Sequence, residues 1–224
     1  MKNREKSAMI RPSGGFRSLY SFRLATVVYD GTVSFCERFL DPRSRTVDQM
    51  VQAARSGRQN IAEGSRASAS SSQTELRLTN VARASLEELL LDYEDYLRQK
   101  GLRLWGKNDP QTGTIRAVRL EERKDLPDGA DRTDYRLFAR WLDHKNPEIA
   151  ANTLISLIHR TNYLLDGQIA ELERQFVEKG GYSENLAAAR LSHRRAGTNR
   201  SHPSRQSHRE IPRCPRCGGL MVLR

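Results

Sequence analysis

Val47-Asp-Gln-Met-Val-Gln-Ala-Ala-Arg-Ser-Gly-Arg-Gln-Asn-Ile-Ala-Glu-Gly64 reads as a central helix of an all-α protein. Val47, Met50, Val51, Ala54 and Ile61 recur at helical spacing, so one face of the helix is apolar and predicted to be buried. Ala53, Ser56, Gly57 and Ala62 fill the gaps with residues small enough for a neighbouring helix to come close. Thr46-Val-Asp-Gln49 has the spacing of a capping box, in which hydroxyl and amide side chains satisfy backbone N–H groups at a helix start. Gly64 is placed to end the helix. The shown face carries Arg45, Arg55, Arg58 and, just beyond the predicted end, Arg66.

Three further long helices flank this one. Leu19, Phe22, Thr26, Tyr29, Val33, Cys36 and Phe39 step at threes and fours, which predicts a helix from about Ser18 to Leu40, weakened by Gly31 and stopped at Asp41-Pro42. After a serine-rich loop, Ser72-Gln-Thr-Glu75 repeats the capping-box pattern and opens a helix to about Lys100. Its buried stripe is Leu76, Thr79, Ala82, Leu86, Leu89, Leu90, Tyr93 and Leu97. Asn146-Pro147-Glu148 starts the last one, with Asn as cap, Pro at the first helical position and an acid where the helix dipole favours it. That helix continues to about Glu178 and ends at Gly180-Gly181.

Between the third and fourth helices lies an insertion, residues 101–145. Asp109-Pro110-Gln-Thr-Gly113 and Leu126-Pro-Asp-Gly129 read as turns, and Asp134 to Asp143 as a short amphipathic helix. Trp105 and Trp141 are read as packing residues rather than platforms for stacking bases. The expected fold is an antiparallel up-and-down four-helix bundle with this helical insertion and a disordered basic C-terminal tail. Its domains are a flexible leader (1–17), the bundle (18–181), a basic and largely disordered linker (182–213) and a Cys-x-x-Cys end (214–224).

Charge separates body from tails. Of the formal +11, residues 1–15 carry +3 and residues 182–224 carry +7, which leaves +1 for residues 16–181. With 37% hydrophobic residues, the chain is poor in apolar side chains for a compact globule of this size, so exposed segments or core completion by another subunit are expected. Basic ends on a near-neutral body suit phosphate, bound through counterion release; a solvated extension that keeps the protein soluble is the other reading. No stretch is apolar for the ~18 residues that a membrane span needs. Met1 to Arg11 lacks the apolar core of a signal peptide, and a cytoplasmic location is expected. Five acids and no base lie between Glu87 and Asp95. Arg55 and Arg58 therefore have two readings, attraction to that acidic helix within or between chains, or contact with nucleic-acid phosphate.

Ser56-Gly-Arg-Gln-Asn-Ile-Ala-Glu-Gly64 resembles the S-x-x-x-N-I-A-E-G signature of a four-helix bundle family. That family includes proteins encoded within intervening sequences of large-subunit ribosomal RNA genes and is similar to the accessory protein of diversity-generating retroelements. Asn152 to Gln168, with Leu172-Glu-x-x-Phe176 and Gly180-Gly-Tyr-Ser-Glu184, resembles the suffix-bearing branch, which has a long insertion before the last helix and a C-terminal extension; the branch has Gln where this chain has Gly167 or its neighbour. The matching regions span about residues 18 to 191. The resemblance implies a homopentameric ring.

The tail from Leu191 to Arg213 is rich in Ser, Arg and His and carries Arg194, Arg195, Arg200, Arg205 and Arg209, with Arg190 just before it. With almost no large apolar residue, it cannot bury enough surface to fold alone. Cys214-Pro-Arg-Cys217-Gly is zinc-knuckle wording, two thiolates on a tight turn, but a structural zinc site takes four ligands. The suffix-bearing branch resembles topoisomerase-type zinc ribbons, in which a second cysteine pair follows. Three readings of Cys214 and Cys217 stand: a non-metallated remnant of such a ribbon, zinc completed by tail histidines such as His208 or by another subunit, and a redox dithiol. His159 is read as packed or interfacial, and His144 as part of a loop.

No P-loop, G-x-S-x-G, H-E-x-x-H or Glu-x-x-His pair occurs. A non-enzymatic, oligomeric bundle that binds RNA or single-stranded DNA is therefore expected, the ten arginines Arg45, Arg55, Arg58, Arg66, Arg190, Arg194, Arg195, Arg200, Arg205 and Arg209 being its candidate contacts. The alternative is an interaction or scaffold module whose basic tail docks an acidic partner.

Overall fold

A computed structural model describes residues 15–69, 71–121, 132–180 and 182–198. Over these residues the protein is all-α. A 3-10 turn at Gly15–Ser18 precedes α1 (Tyr20–Phe39), α2 (Arg45–Ala67), α3 (Ser72–Gln99), α4 (Pro110–Ala117), α5 (Arg132–Leu142), α6 (Pro147–Lys179) and α7 (Tyr182–Thr198). Among the described residues there is no strand, and no helix is long and apolar enough to cross a membrane. The chain divides into two compact units, residues 1–183 and 184–224.

Helix starts follow local chemistry, with two shifts from the sequence reading. Ser44, not Thr46, caps α2 and accepts from Thr46 N, and Ser71, not Ser72, caps α3 and accepts from Thr74 N. In each case a second hydroxyl residue stands beside the one whose backbone is extended. Asn146 caps α6 as expected, its side chain accepting from Glu148 N at 2.9 Å with Pro147 in the first turn. Asp109 does the same for α4, accepting from Gln111 N at 3.2 Å. The stretch 109–113 is thus a helix start and not a turn. Gly180, at φ 69°, closes α6 in the left-handed region that favours glycine.

Within the first unit, α1, α2, α3 and α6 pack in the pairs α1–α2, α2–α3, α3–α6 and α1–α6. Numbering rises on one partner as it falls on the other: Ser56 meets Ser85 and Gly64 meets Glu75, Arg83 meets Asp166 and Glu87 meets Asn162, and Ser21 meets Gln168 while Gly31 meets Leu154. The core among them is built from Leu24, Val28 and Phe35 of α1, Met50 and Ile61 of α2, Leu86, Leu89 and Tyr93 of α3, and Leu154, Leu157 and Ile158 of α6. α1 is buried beyond the single stripe read from the sequence, because α5 also lies on it. The core begins before α1: Phe16 is buried and stacks edge-on against Phe22, with ring centroids 4.8 Å apart, so the leader does not extend to residue 17.

Arginines hold the 101–145 segment to this body by its main chain. Arg23 donates to Glu121 O at 2.7 Å, Arg38 to Leu142 O and His144 O at 2.9 and 2.6 Å, and Arg160 to Val118 O at 2.6 Å. Arg23 also forms a buried two-pronged pair with Asp134 of α5, Nε to Oδ2 at 2.8 Å and the terminal nitrogen to Oδ1 at 2.7 Å. That bond holds its guanidinium proton above the usual range, against the cost of burial.

In the second unit, residues 184–198 are helical as part of α7, where the sequence reading had a largely disordered linker. The reason is local: Leu186-Ala-Ala-Ala-Arg-Leu191 is a run of the strongest helix formers, and propensity needs no buried face.

Candidate nucleic-acid interface

The Ser56–Gly64 stretch that carries the family-like wording is, in three dimensions, the seam between α2 and α3. A Cβ on Gly57 would stand 2.8 Å from Leu86 Cγ and Cδ2, and one on Gly64 would stand 3.4 Å from Glu75 O and Leu78 Cβ. Ser56 Oγ and Ser85 Oγ lie 3.0 Å apart, Asn60 Nδ2 donates to Ser56 O at 2.9 Å, and Ile61 and Ala62 are buried. Gly64 thus serves close approach inside α2, which runs on to Ala67, and does not end the helix. The motif positions the outer face of α2 through packing.

On that face Arg45, Arg55 and Arg66 are exposed, and Arg58 is half-buried. At ~100° per residue, Arg55, Arg58 and Arg66 fall within about 80° of arc, and at ~1.5 Å per residue the four arginines span roughly 30 Å of helix. Arg45 and Arg55 are ~15 Å apart along the axis and Arg58 and Arg66 ~12 Å, beyond the ~8–10 Å over which exposed charges act together in physiological salt. They form a sparse row rather than a dense patch. Arg58 is partly committed: its guanidinium carbon sits 4.3 Å from the centroid of the Tyr29 ring, and its Nε is buried with no hydrogen-bond partner among the described residues. Arg66 lies 5.1 Å over the Phe16 ring.

The acidic run of α3 makes its contacts elsewhere. Glu87 accepts from Asn162 of α6 at 3.1 Å, and Asp95 pairs with Arg98 at 2.8 Å. Burial, with the nearby Glu88 and Asp95 carboxylates adding to it, holds the Asp92 carboxyl above its ordinary range, and its Oδ2 has no hydrogen-bond partner among the described residues. Arg58 therefore rests on an aromatic ring of α1 rather than on the α3 carboxylates.

Arg190, Arg194 and Arg195 are exposed on α7, with Arg190 and Arg194 one turn apart. Arg200, Arg205, Arg209, His208, Cys214 and Cys217 lie outside the described residues. Among the described residues no group of three or more His, Cys, Asp or Glu side chains could hold a metal ion.

A second feature had no signal in the sequence. Residues 104–107, α4, α6 and Glu94 of α3 line a cavity of about 660 Å³ that opens to solvent. Asn152 lines it and is fully engaged: it accepts from Trp105 N at 2.8 Å and donates to Arg103 O and Glu148 O at 2.9 and 2.8 Å. Arg160, bonded to Val118 O, also lines it, and burial lowers the pKa of its guanidinium. Lys107 and Arg116 line it, and Glu94 is the carboxylate among its lining residues. Trp105 is buried and Trp141 half-buried under the Arg140 guanidinium at 3.7 Å, in keeping with packing roles. His159 is not packed; it is exposed at the cavity. His144 lies in the loop, where its Nδ1 accepts from Asn146 N at 3.0 Å.

Comparison with family models, with curated proteins and with solved structures finds no match to this chain. What is established is a class, an all-α protein; its exposed arginines include those on α2 and α7 and others on α1, α3, α4, α5 and α6, such as Arg38, Arg77, Arg116, Arg136 and Arg174.

Proposed function

We propose that this chain is a non-enzymatic accessory protein that binds RNA or single-stranded DNA electrostatically, with α1, α2, α3 and α6 forming an antiparallel up-and-down four-helix bundle as its assembly platform. The observation that carries the reading is the alignment of Arg55, Arg58 and Arg66 on one arc of α2, together with the exposed arginines of α7, in a chain whose net charge of +11 falls mostly outside residues 16–181. Because the α2 row is sparse, one copy binds phosphate weakly. Self-association, to the pentamer that the family resemblance implies, repeats the row and raises avidity without new contacts. The half-burial of Arg58 on Tyr29 moves it from the phosphate-contacting set to the group that shapes the face.

The test is fluorescence anisotropy with labelled single-stranded RNA and DNA, alongside sedimentation of the free protein. The logarithm of the affinity falls linearly with log salt, and the triple variant R190A/R194A/R195A loses about tenfold at low salt, because each neutralised phosphate contributes to the slope. Absence of binding at low ionic strength, or a monomer at all concentrations, overturns the proposal.

A further inference from the structure

We propose that the cavity lined by α4, α6 and the 104–107 segment is a binding site for a phosphate monoester carrying a planar apolar group, a ligand of nucleoside-monophosphate class. This goes beyond the electrostatic reading of α2 and α7 and is independent of it.

Charge selects the phosphate. Lys107, Arg116 and Arg160 line the cavity with Glu94, three cations to one carboxylate; Arg160 and Arg116 each give one donor to a carbonyl, Val118 O and Lys107 O, and keep their other guanidinium N–H groups. The excess matches a phosphate monoester, which carries about −1.5 to −2 at neutral pH and offers three acceptor oxygens. An unpartnered hydroxyl supports the same choice. Thr112 lines the cavity, is 4% exposed, and its Oγ1 has no hydrogen-bond partner among the described residues. A buried hydroxyl left without a partner costs free energy that a ligand oxygen recovers. The polar groups around it are already engaged: Asn152 holds three backbone groups, and Ser156 Oγ donates to Asn152 O at 2.9 Å.

Size selects the remainder of the ligand. A volume of about 660 Å³ is several times what a phosphate fills and sits within the range of pockets for small organic molecules. Its apolar lining comes from Leu104, Ile155 and Tyr163, and Tyr163 is 77% exposed, a ring available to lie against a flat group.

Calorimetric titration of the full chain with adenosine 5′-monophosphate, inorganic phosphate and adenosine tests the site. The monophosphate binds at least about tenfold more tightly than either fragment. K107A/R116A, two exposed side chains, weakens it about tenfold or more with unchanged melting temperature, and Thr112→Val weakens it about threefold while the ligand-free protein melts no lower than the parent. R190A/R194A/R195A leaves the affinity within twofold, which separates this site from the tail. Competition by a 5′-phosphorylated trinucleotide, but not by its dephosphorylated form, assigns the ligand to a strand end; failure of both to compete assigns it to the free mononucleotide, and either result supports the site. No heat with the monophosphate at low salt, equal affinity for bare phosphate, or an equal loss in the tail variant overturns it.

Discussion

Gly57 of α2 sits against Leu86 of α3 so closely that a methyl group there would stand 2.8 Å from two carbons of the leucine, a side chain with no exposed surface. The α2–α3 seam therefore depends on a missing Cβ. Gly57→Ala gains up to ~1 kcal/mol of helix propensity but forces Leu86 out of its packing, which costs ~1–3 kcal/mol. We expect a net loss of about 0–2 kcal/mol in urea unfolding. Leu86→Ala alone loses ~2–5 kcal/mol, and the double variant loses less than the sum, because the new methyl enters the space vacated. Strict additivity would mean that the two residues do not share this contact.

The Arg23–Asp134 pair, 3% and 5% exposed, ties α5 to α1. Asp134→Ala leaves a buried guanidinium without its carboxylate and destabilises by ~3–5 kcal/mol. Arg23→Met with Asp134→Leu removes both charges together and is expected to recover most of that loss. Denaturant midpoints of the three proteins decide it; a double variant as unstable as the single would show that the charge itself is required.

Asp92 gives a pH dependence of definite sign. Its folded carboxyl has a raised pKa, through burial first and the Glu88 and Asp95 charges second. The folded state thus disfavours its ionised form. The stability associated with this group is full below the unfolded carboxyl value of ~3.9 and is lost as pH rises through the raised folded value. Asp92→Asn should melt at a higher temperature than the parent at pH 7, with the gap closing below about pH 4. A gap that is flat with pH would assign the effect to something other than ionisation.

Cys36 is buried, and burial, with Asp92 and Glu37 adding to it, pushes its thiol up to about 12. Since the thiolate is the reacting species, a protein with Cys214 and Cys217 changed to serine should react with Ellman's reagent at pH 8 only as fast as it opens. The reaction accelerates in urea. Rapid labelling under native conditions would show that α1 opens locally.

The four long helices were legible because each repeats apolar residues over many turns, and Asn146-Pro147 marked a start because a long apolar repeat follows it. Glycine was the weak letter. Gly64 and Gly180 both stand near helix ends in the sequence, yet one is buried at a close approach and the other has the positive φ of a terminator. Asp109-Pro110 misled for a related reason, since an acceptor followed by proline begins both a turn and a helix. The candidate arginines were found by charge alone, but the stacking of Arg58 on Tyr29 needs a partner 29 positions away, and the cavity draws on residues from α3 to α6. Neither has a periodic trace.

Arg23, Arg38 and Arg160 hold the 101–145 segment by carbonyl oxygens at positions 118, 121, 142 and 144. A carbonyl is the same whatever side chain its residue bears. Apart from the Arg23–Asp134 clasp, these anchors ask for a path of main chain, and what the segment's side chains supply is burial, since Trp105, Ile115, Leu120, Phe138 and Leu142 lie in the core. Chains that share this architecture would then be recognised by three arginines spaced along the two helices that bear them, and, in the stretch those arginines secure, by a pattern of apolar positions.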